Sequence, residues 1–191
     1  MIKIYNKSNP LALTMGDPAG ISGEISLMAW LAKEQEKLKP FFMIDDPERL
    51  KSLANKISLN VPIQKITNVN EANAIFKNAL PVLPIKLAEP SIPGISNPKN
   101  AQTTILSLDK AIQFAIDGSA SGIVTGPINK STLYSNGFNS PGHTEYIASK
   151  TESPYPVMML SCPQLRVVPV TVHLGLKEAI NSLNQEDIET T

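Results

Sequence analysis

The chain has 191 residues, 42% apolar and 18% charged, enough to enclose a core in one domain and too apolar for a disordered segment. Seventeen basic residues balance seventeen acidic ones, for a formal net charge of zero. That argues against a nucleic-acid stripe or a membrane-surface patch and leaves any substrate charge to a few placed groups. The single cysteine, Cys162, excludes an intrachain disulfide. With no basic leader and no apolar run long enough to span a bilayer, the expectation is a soluble, cytoplasmic protein.

Short apolar runs alternate with amphipathic segments. "PLALTM" (10–15) reads as a buried strand ending in the loop "GDPAGISGE", and Ile25, Met28, Leu31 and Ala32 recur at helical spacing after it. "FFMIDD" is a second strand, followed by a helix over "PERLKSLANKIS" with Pro47 at an allowed early position. "PIQKI" is a short third strand and "VNEANAIFKNA" a weaker helix. "LPVLPIKL" holds two prolines, which favours an edge strand over a central one. Residues 88–100, "AEPSIPGISNPKN", read as a proline-rich excursion over the surface or across a partner.

The clearest helix is "AQTTILSLDKAIQFAIDG", with a stripe of Ile105, Leu108, Ile112, Ala115 and Ile116 and with Gly118 as its C-terminal stop. "SGIVTG" is a strand, "PINKSTLYSNG" a loop with a short helix, and "GHTEYIASKT" a helix. "PVMMLSC" and "LRVVPVTV" read as two strands of a hairpin, with "KEAINSL" a short helix after them. Strands alternating with helices predict a layered α/β fold, its sheet largely parallel, with one late antiparallel element. At the end, Asn184 stands where a helix cap belongs, and Glu186 and Asp187 fall in the first turn. The sequence stops about one turn later, so the chain is expected to be part of something longer.

Four stretches carry candidate chemistry. "MGDPAGISGE" (15–24) is a Gly/Pro-rich turn between strand and helix. It is neither a Walker A sequence nor a G-x-G-x-x-G fingerprint. It is either a tight turn or a loop whose backbone approaches a ligand, and Asp17 and Glu24 are the residues able to do more. "VTGPINKSTL" (124–133) repeats the logic, placing Lys130 and Ser131 where a phosphate or carboxylate can be held; the alternative is an ordinary surface lysine after a turn. "SPGHTEY" sets His143, Thr144 and Glu145 in the first turn of a helix, where the dipole disfavours a protonated imidazole. His143 can thus be a structural histidine, a metal ligand or a substrate contact. "VTVHLGL" (170–176) puts His173 just past an apolar strand, the end at which α/β proteins build sites. A metal needs three or four ligands and the chain has two histidines, so a centre made of histidine alone is impossible within it. Cys162, with no adjoining histidine, reads as a small buried hydrophobe.

In this order, "LTMGDPAGISGE", "IVTGPINK", "PGHTEYIA" and "VTVHLGL" resemble the N-terminal part of the 4-hydroxythreonine-4-phosphate dehydrogenase family. The resemblance implies a fold similar to isocitrate and isopropylmalate dehydrogenases: an α/β/α layered sheet within two lobes, assembled as a homodimer. Residues 1–191 would then be a single partial α/β unit with an incomplete second lobe. It implies oxidation of 4-phosphohydroxy-L-threonine by NAD (or NADP) with a divalent metal (Zn, Mg or Co), then decarboxylation to 3-amino-2-oxopropyl phosphate on the route to pyridoxal phosphate. It also implies that His143 and Thr144 bind substrate and that His173 ligates the metal, whose other ligands have no counterpart here.

The sequence departs from the family's usual Gly-Pro-Glu after the first-loop isoleucine: it has Ser22-Gly23-Glu24. Two other readings stand beside the dehydrogenase: a paralogue acting on another phosphorylated hydroxy acid, and a non-catalytic protein that binds ligand or dimerises.

Overall fold

The first strand, β1 (Leu11–Thr14), forms where the sequence alternates across a plane: Leu13 faces one core and Ala12 the other. The structure, a computed structural model, describes residues 8–153 and 155–191. The chain divides into two compact units, Met1–Ile147 and Ala148–Thr191.

In the first unit, β1 pairs in parallel with β2 (Phe41–Asp45), and β2 with β4 (Leu80–Pro84). Strand β3 (Ile63–Lys65) pairs with the outer side of β4, and β5 (Ile123–Val124) pairs with the other side of β1. The sheet order is β3-β4-β2-β1-β5. One face carries Leu13, Phe41, Met43, Leu80 and Val82, covered by α1 (Ser22–Leu31) and α2 (Pro47–Lys56) through Leu27, Trp30, Leu50 and Leu53. The other carries Ala12, Phe42 and Ile44, covered by α3 (Ala72–Ile75) and α4 (Ala101–Asp117) through Ala72 and Ala111. The mostly parallel layered α/β architecture expected from the sequence is the one observed, and Gly118 ends α4 in the left-handed region at φ 83°.

Three expectations change. The apolar stripe of α1 lies outside: Ile25, Met28 and Leu31 are exposed, and the buried face is Ser22, Gly23, Ser26, Leu27 and Trp30. Small residues there let the helix lie close to its neighbours, since a Cβ on Gly23 would come within 2.5 Å of Leu53. Second, β4 is central despite its prolines. Leu80 donates toward β3 and Ile85 toward β2, so by alternation Pro81 faces β2 one position before their register begins at Met43–Val82. Pro84 faces the β3 side beyond that strand's last pair, Lys65–Val82. Neither missing N–H falls within a ladder. Third, only part of the predicted α4 stripe is covered. Leu108 and Ile112 are buried, whereas Ile116 is exposed and the buried face is filled out by Thr103, Thr104, Ser107 and Ala111.

In the second unit, β6 (Leu160–Ser161) and β7 (Arg166–Val167) form the expected antiparallel hairpin, but each is two residues long. Cys162 lies in its turn and is exposed, not buried: its amide donates to the Leu165 carbonyl at 2.8 Å. The short helices α7 (Leu176–Ser182) and α8 (Gln185–Thr190) follow, and Asn184 caps α8 by accepting from the Asp187 amide at 2.9 Å. No helix among the described residues is long and apolar enough to cross a membrane.

Candidate functional site

The strand order reverses at β1: the chain goes from β1 to β2 on one side, and after β4 it crosses back through α4 to place β5 on the other side of β1. In open α/β sheets such a switch point opens a crevice at the carboxyl ends of the strands. Here the two strand ends are held against each other and against α4. Thr14 Oγ1 accepts from the Gly126 amide at 3.0 Å, and the Asp17 amide donates to the Pro127 carbonyl at 2.8 Å. From α4, the Thr104 hydroxyl donates to the Gly16 carbonyl (3.1 Å), and Ser107 accepts from the Met15 amide while donating to the Ile44 carbonyl. The polar residues on the buried side of α4 thus pair the strand-end backbone that would otherwise be desolvated without a partner.

Glycine is required where the two loops meet. Gly16 sits at φ +67°, and a Cβ there would lie 2.7 Å from the Pro127 carbonyl. A Cβ on Gly126 would lie 2.2 Å from Ser22 Oγ. Ser22 is fully buried, and its hydroxyl has no hydrogen-bond partner.

The crevice is a cavity of ≈ 480 Å³ lined by Asp17, Gly20, Ile21, Pro127, Ile128, Asn129 and Lys130. Asp17 is oriented within its own loop, Oδ1 accepting from the Ala19 amide at 2.9 Å. Lys130 opens the short helix α5 (Lys130–Tyr134), which is capped by Asn129. His143 opens α6 (His143–Lys150), and Tyr146, one turn on, packs against Phe138 and donates to Asp109 of α4 at 2.7 Å. Burial, then the nearby Lys130 ammonium, hold the His143 imidazole below its usual pKa, so the ring is neutral at neutral pH. Thr144 follows it, exposed, in the same turn.

Of the residues singled out in the sequence, the fold therefore brings Asp17, Lys130 and His143 to one end of the sheet, with Thr144 beside them. Glu24 lines a different cavity, of ≈ 540 Å³, with Pro18, Arg49, Lys56 and Lys86. Its Oε2 is buried without a hydrogen-bond partner. His173 belongs to the second unit; it is exposed and does not follow a strand directly, because β7 ends at Val167 and Pro169 interrupts any continuation. Its backbone is left-handed, at φ 57°. No group of three or more His, Cys, Asp or Glu side chains that could hold a metal occurs among the described residues.

Two residues that sequence reasoning passed over join this site. Asn129 donates to Ser96 Oγ at 2.9 Å, and Ser96 donates to Asp17 Oδ2 at 2.9 Å. An asparagine directly before Lys-Ser-Thr is a legible cap signal; a serine inside a proline-rich stretch carries none.

Residues 36–191 match the family described as "Pyridoxal phosphate biosynthetic protein PdxA". The 4-hydroxythreonine-4-phosphate dehydrogenase of Methylorubrum populi is 41% identical over 189 residues, which is 95% of this chain and 54% of that protein. The one from Erythrobacter litoralis is 42% identical over 171 residues, 88% of this chain and 51% of that protein. Among solved structures, a 4-hydroxythreonine-4-phosphate dehydrogenase from Burkholderia phymatum superposes with a TM-score of 0.88 at 27% identity, covering 97% of this chain and 56% of that one. The one from Klebsiella pneumoniae gives 0.83 at 28% identity, covering 96% and 56%. The chain thus spans about half the length of the relatives it matches. Over that half both the sequence and the overall fold agree, and the chain belongs to the PdxA family of pyridoxal phosphate biosynthetic proteins.

Proposed function

We propose that this chain forms the substrate-holding half of a 4-hydroxythreonine-4-phosphate dehydrogenase. The observation that carries the reading is the crevice between β1 and β5, lined by a carboxylate (Asp17) and an ammonium (Lys130), with the neutral imidazole of His143 close enough to feel the Lys130 charge. 4-Phosphohydroxy-L-threonine offers the complement: a dianionic phosphate and a carboxylate for Lys130, and hydroxyl and amine groups for acceptors. His143 and Thr144 orient it, and geometry supplies much of the acceleration in such reactions. The secondary alcohol gives a hydride to NAD or NADP and its proton to a base. The resulting β-keto acid releases carbon dioxide, leaving 3-amino-2-oxopropyl phosphate.

The proposed divalent metal would polarise the alcohol oxygen and take His173 as one ligand. The described residues do not by themselves assemble a centre for it. A homodimer supplying further groups belongs to the same reading. The absence of a ligand cluster among the described residues also favours a second reading, in which this chain binds the phosphorylated amino acid without turning it over.

Calorimetric titration of 4-phosphohydroxy-L-threonine into the chain, in chelator, tests the common element. Saturable binding is expected, weakened about tenfold or more by His143→Ala, in keeping with loss of a hydrogen bond to a charged ligand, and unchanged by His173→Ala. Equal affinity in wild type and His143→Ala would remove the basis for the assignment. NAD reduction with added divalent metal then separates the dehydrogenase from the binding protein.

A further inference from the structure

The proline-rich excursion of residues 88–100 is anchored at both its base and its tip. At the base, buried Asn100 closes the loop on itself: its Oδ1 accepts from the Glu89 amide at 3.0 Å and its Nδ2 donates to the Glu89 carbonyl at 2.9 Å. At the tip, the Gly94 amide donates to the Ala19 carbonyl at 2.7 Å. Beside it, the half-buried Ser96 hydroxyl bridges the two loops of the crevice, donating to Asp17 Oδ2 and accepting from Asn129 Nδ2, each at 2.9 Å.

We propose that Ser96 is a positioning residue of the substrate crevice, fixing the Asp17 carboxylate relative to Asn129 and Lys130 so that the cavity presents one acceptor and one cation at a set spacing. The proposal rests on the crevice being the substrate site. The geometry gives Ser96 both halves of the task. A single hydroxyl has one proton to give and lone pairs to receive, and here the proton goes to the β1 loop while a lone pair takes the β5 loop. Asn129 is committed on its other side: its Oδ1 accepts from the Thr132 amide and the Ser131 hydroxyl, so the bridge ends in the turn that carries Lys130. Asp17 is likewise committed, to the Ala19 amide through Oδ1. Each carboxylate oxygen keeps acceptor capacity, and both are turned to fixed directions. A ligand carrying a hydrogen-bond donor next to an anionic group meets these requirements, whereas a bare anion uses only Lys130.

That difference separates positioning from a merely structural role. The affinities of the full 191-residue chain for 4-phosphohydroxy-L-threonine and for inorganic phosphate are to be measured by calorimetry in wild type, Ser96→Ala and Ser96→Thr. Ser96→Ala is expected to weaken the amino acid about fivefold, the worth of one ordinary hydrogen bond, and to leave inorganic phosphate unchanged. Ser96→Thr, which keeps the hydroxyl, restores binding to within about twofold of wild type. Faster hydrogen exchange of the Ala19 amide in Ser96→Ala, with an unchanged melting temperature, reports the loosened carboxylate directly. A lowered melting temperature with both affinities intact overturns the proposal, as does equal weakening of both ligands. If His143→Ala weakens the amino acid and Ser96→Ala does not, the substrate site stands and the role of Ser96 falls. No binding in the wild type removes both.

Discussion

His143 is governed by its burial and by one charged neighbour, Lys130. Burial disfavours its charged form, and Lys130 adds a like charge to the same side of the balance. The folded pKa is therefore lowered while the unfolded chain keeps the ordinary imidazole value. Between the two the unfolded state binds more protons, so the contribution of His143 to stability is complete above the unfolded value and is lost as pH falls through that value toward the folded one. Two measurements follow. Ring-proton NMR should place the His143 titration below the ordinary imidazole range, and Lys130→Met should move it upward while leaving burial's share in place. A ring that titrates at or above the free value, or that ignores Lys130, contradicts this account. In the substrate reading the same shift has a use: a neutral ring can accept as well as donate near neutral pH.

At the scale of elements, what could be read from the sequence depended on whether the signal was local. The helix α4, its Gly118 stop, the Pro47 start of α2 and the Asn184 cap all follow from backbone rules that act within a few residues. The face of α1 did not follow, because the rule that apolar residues point inward fails where glycine and serine allow close approach. The central place of β4 did not follow either, since only the partner registers show that its prolines miss both ladders. In the site, His143 and Lys130 were legible as motif residues, while Ser96 depends on contacts 79 and 33 residues away.

A second non-local device ties β2, α2 and the first loop together. Arg49 donates to both oxygens of the fully buried Asp45 at the end of β2, and its Nη1 reaches the Pro18 carbonyl at 3.1 Å. Burial pushes the Asp45 pKa up, and Arg49 counters it. Arg49→Met removes the counterion and leaves a buried carboxylate with only the Asp46 amide as a partner, an effect on the order of 3–5 kcal/mol in urea unfolding. The double variant Asp45→Asn with Arg49→Met should recover a large part of that loss. If the single variant unfolds within about 0.5 kcal/mol of wild type, the range of an ordinary surface substitution, the pair is not the tie described.

For the whole molecule, the two units differ in what holds them. The first encloses two sheet-face clusters that include Trp30, Phe42, Met43 and Leu80. In the second, none of the described residues is buried, and Leu165, Leu176 and Ile180 are 62%, 80% and 67% exposed. Buried apolar area is the main favourable term in folding, and a 44-residue piece that encloses none of its described side chains has little with which to offset chain entropy. Cooperative stability should therefore reside in the first unit. A fragment of residues 1–150, which keeps α6 whole, is expected to unfold in urea with Trp30 fluorescence as the probe at a free energy within about 0.5 kcal/mol of the full chain. In the full chain, amides of 151–191 should exchange near the rates of unprotected backbone while those of β1, β2 and β4 exchange only through global opening. Asp17, Ser96, Asn129, Lys130 and His143 all lie within the fragment, so under the proposed substrate reading it should bind 4-phosphohydroxy-L-threonine with the affinity of the full chain. A fragment destabilised by more than about 1 kcal/mol, or strong protection in 151–191, would show that the second unit carries folding energy of its own.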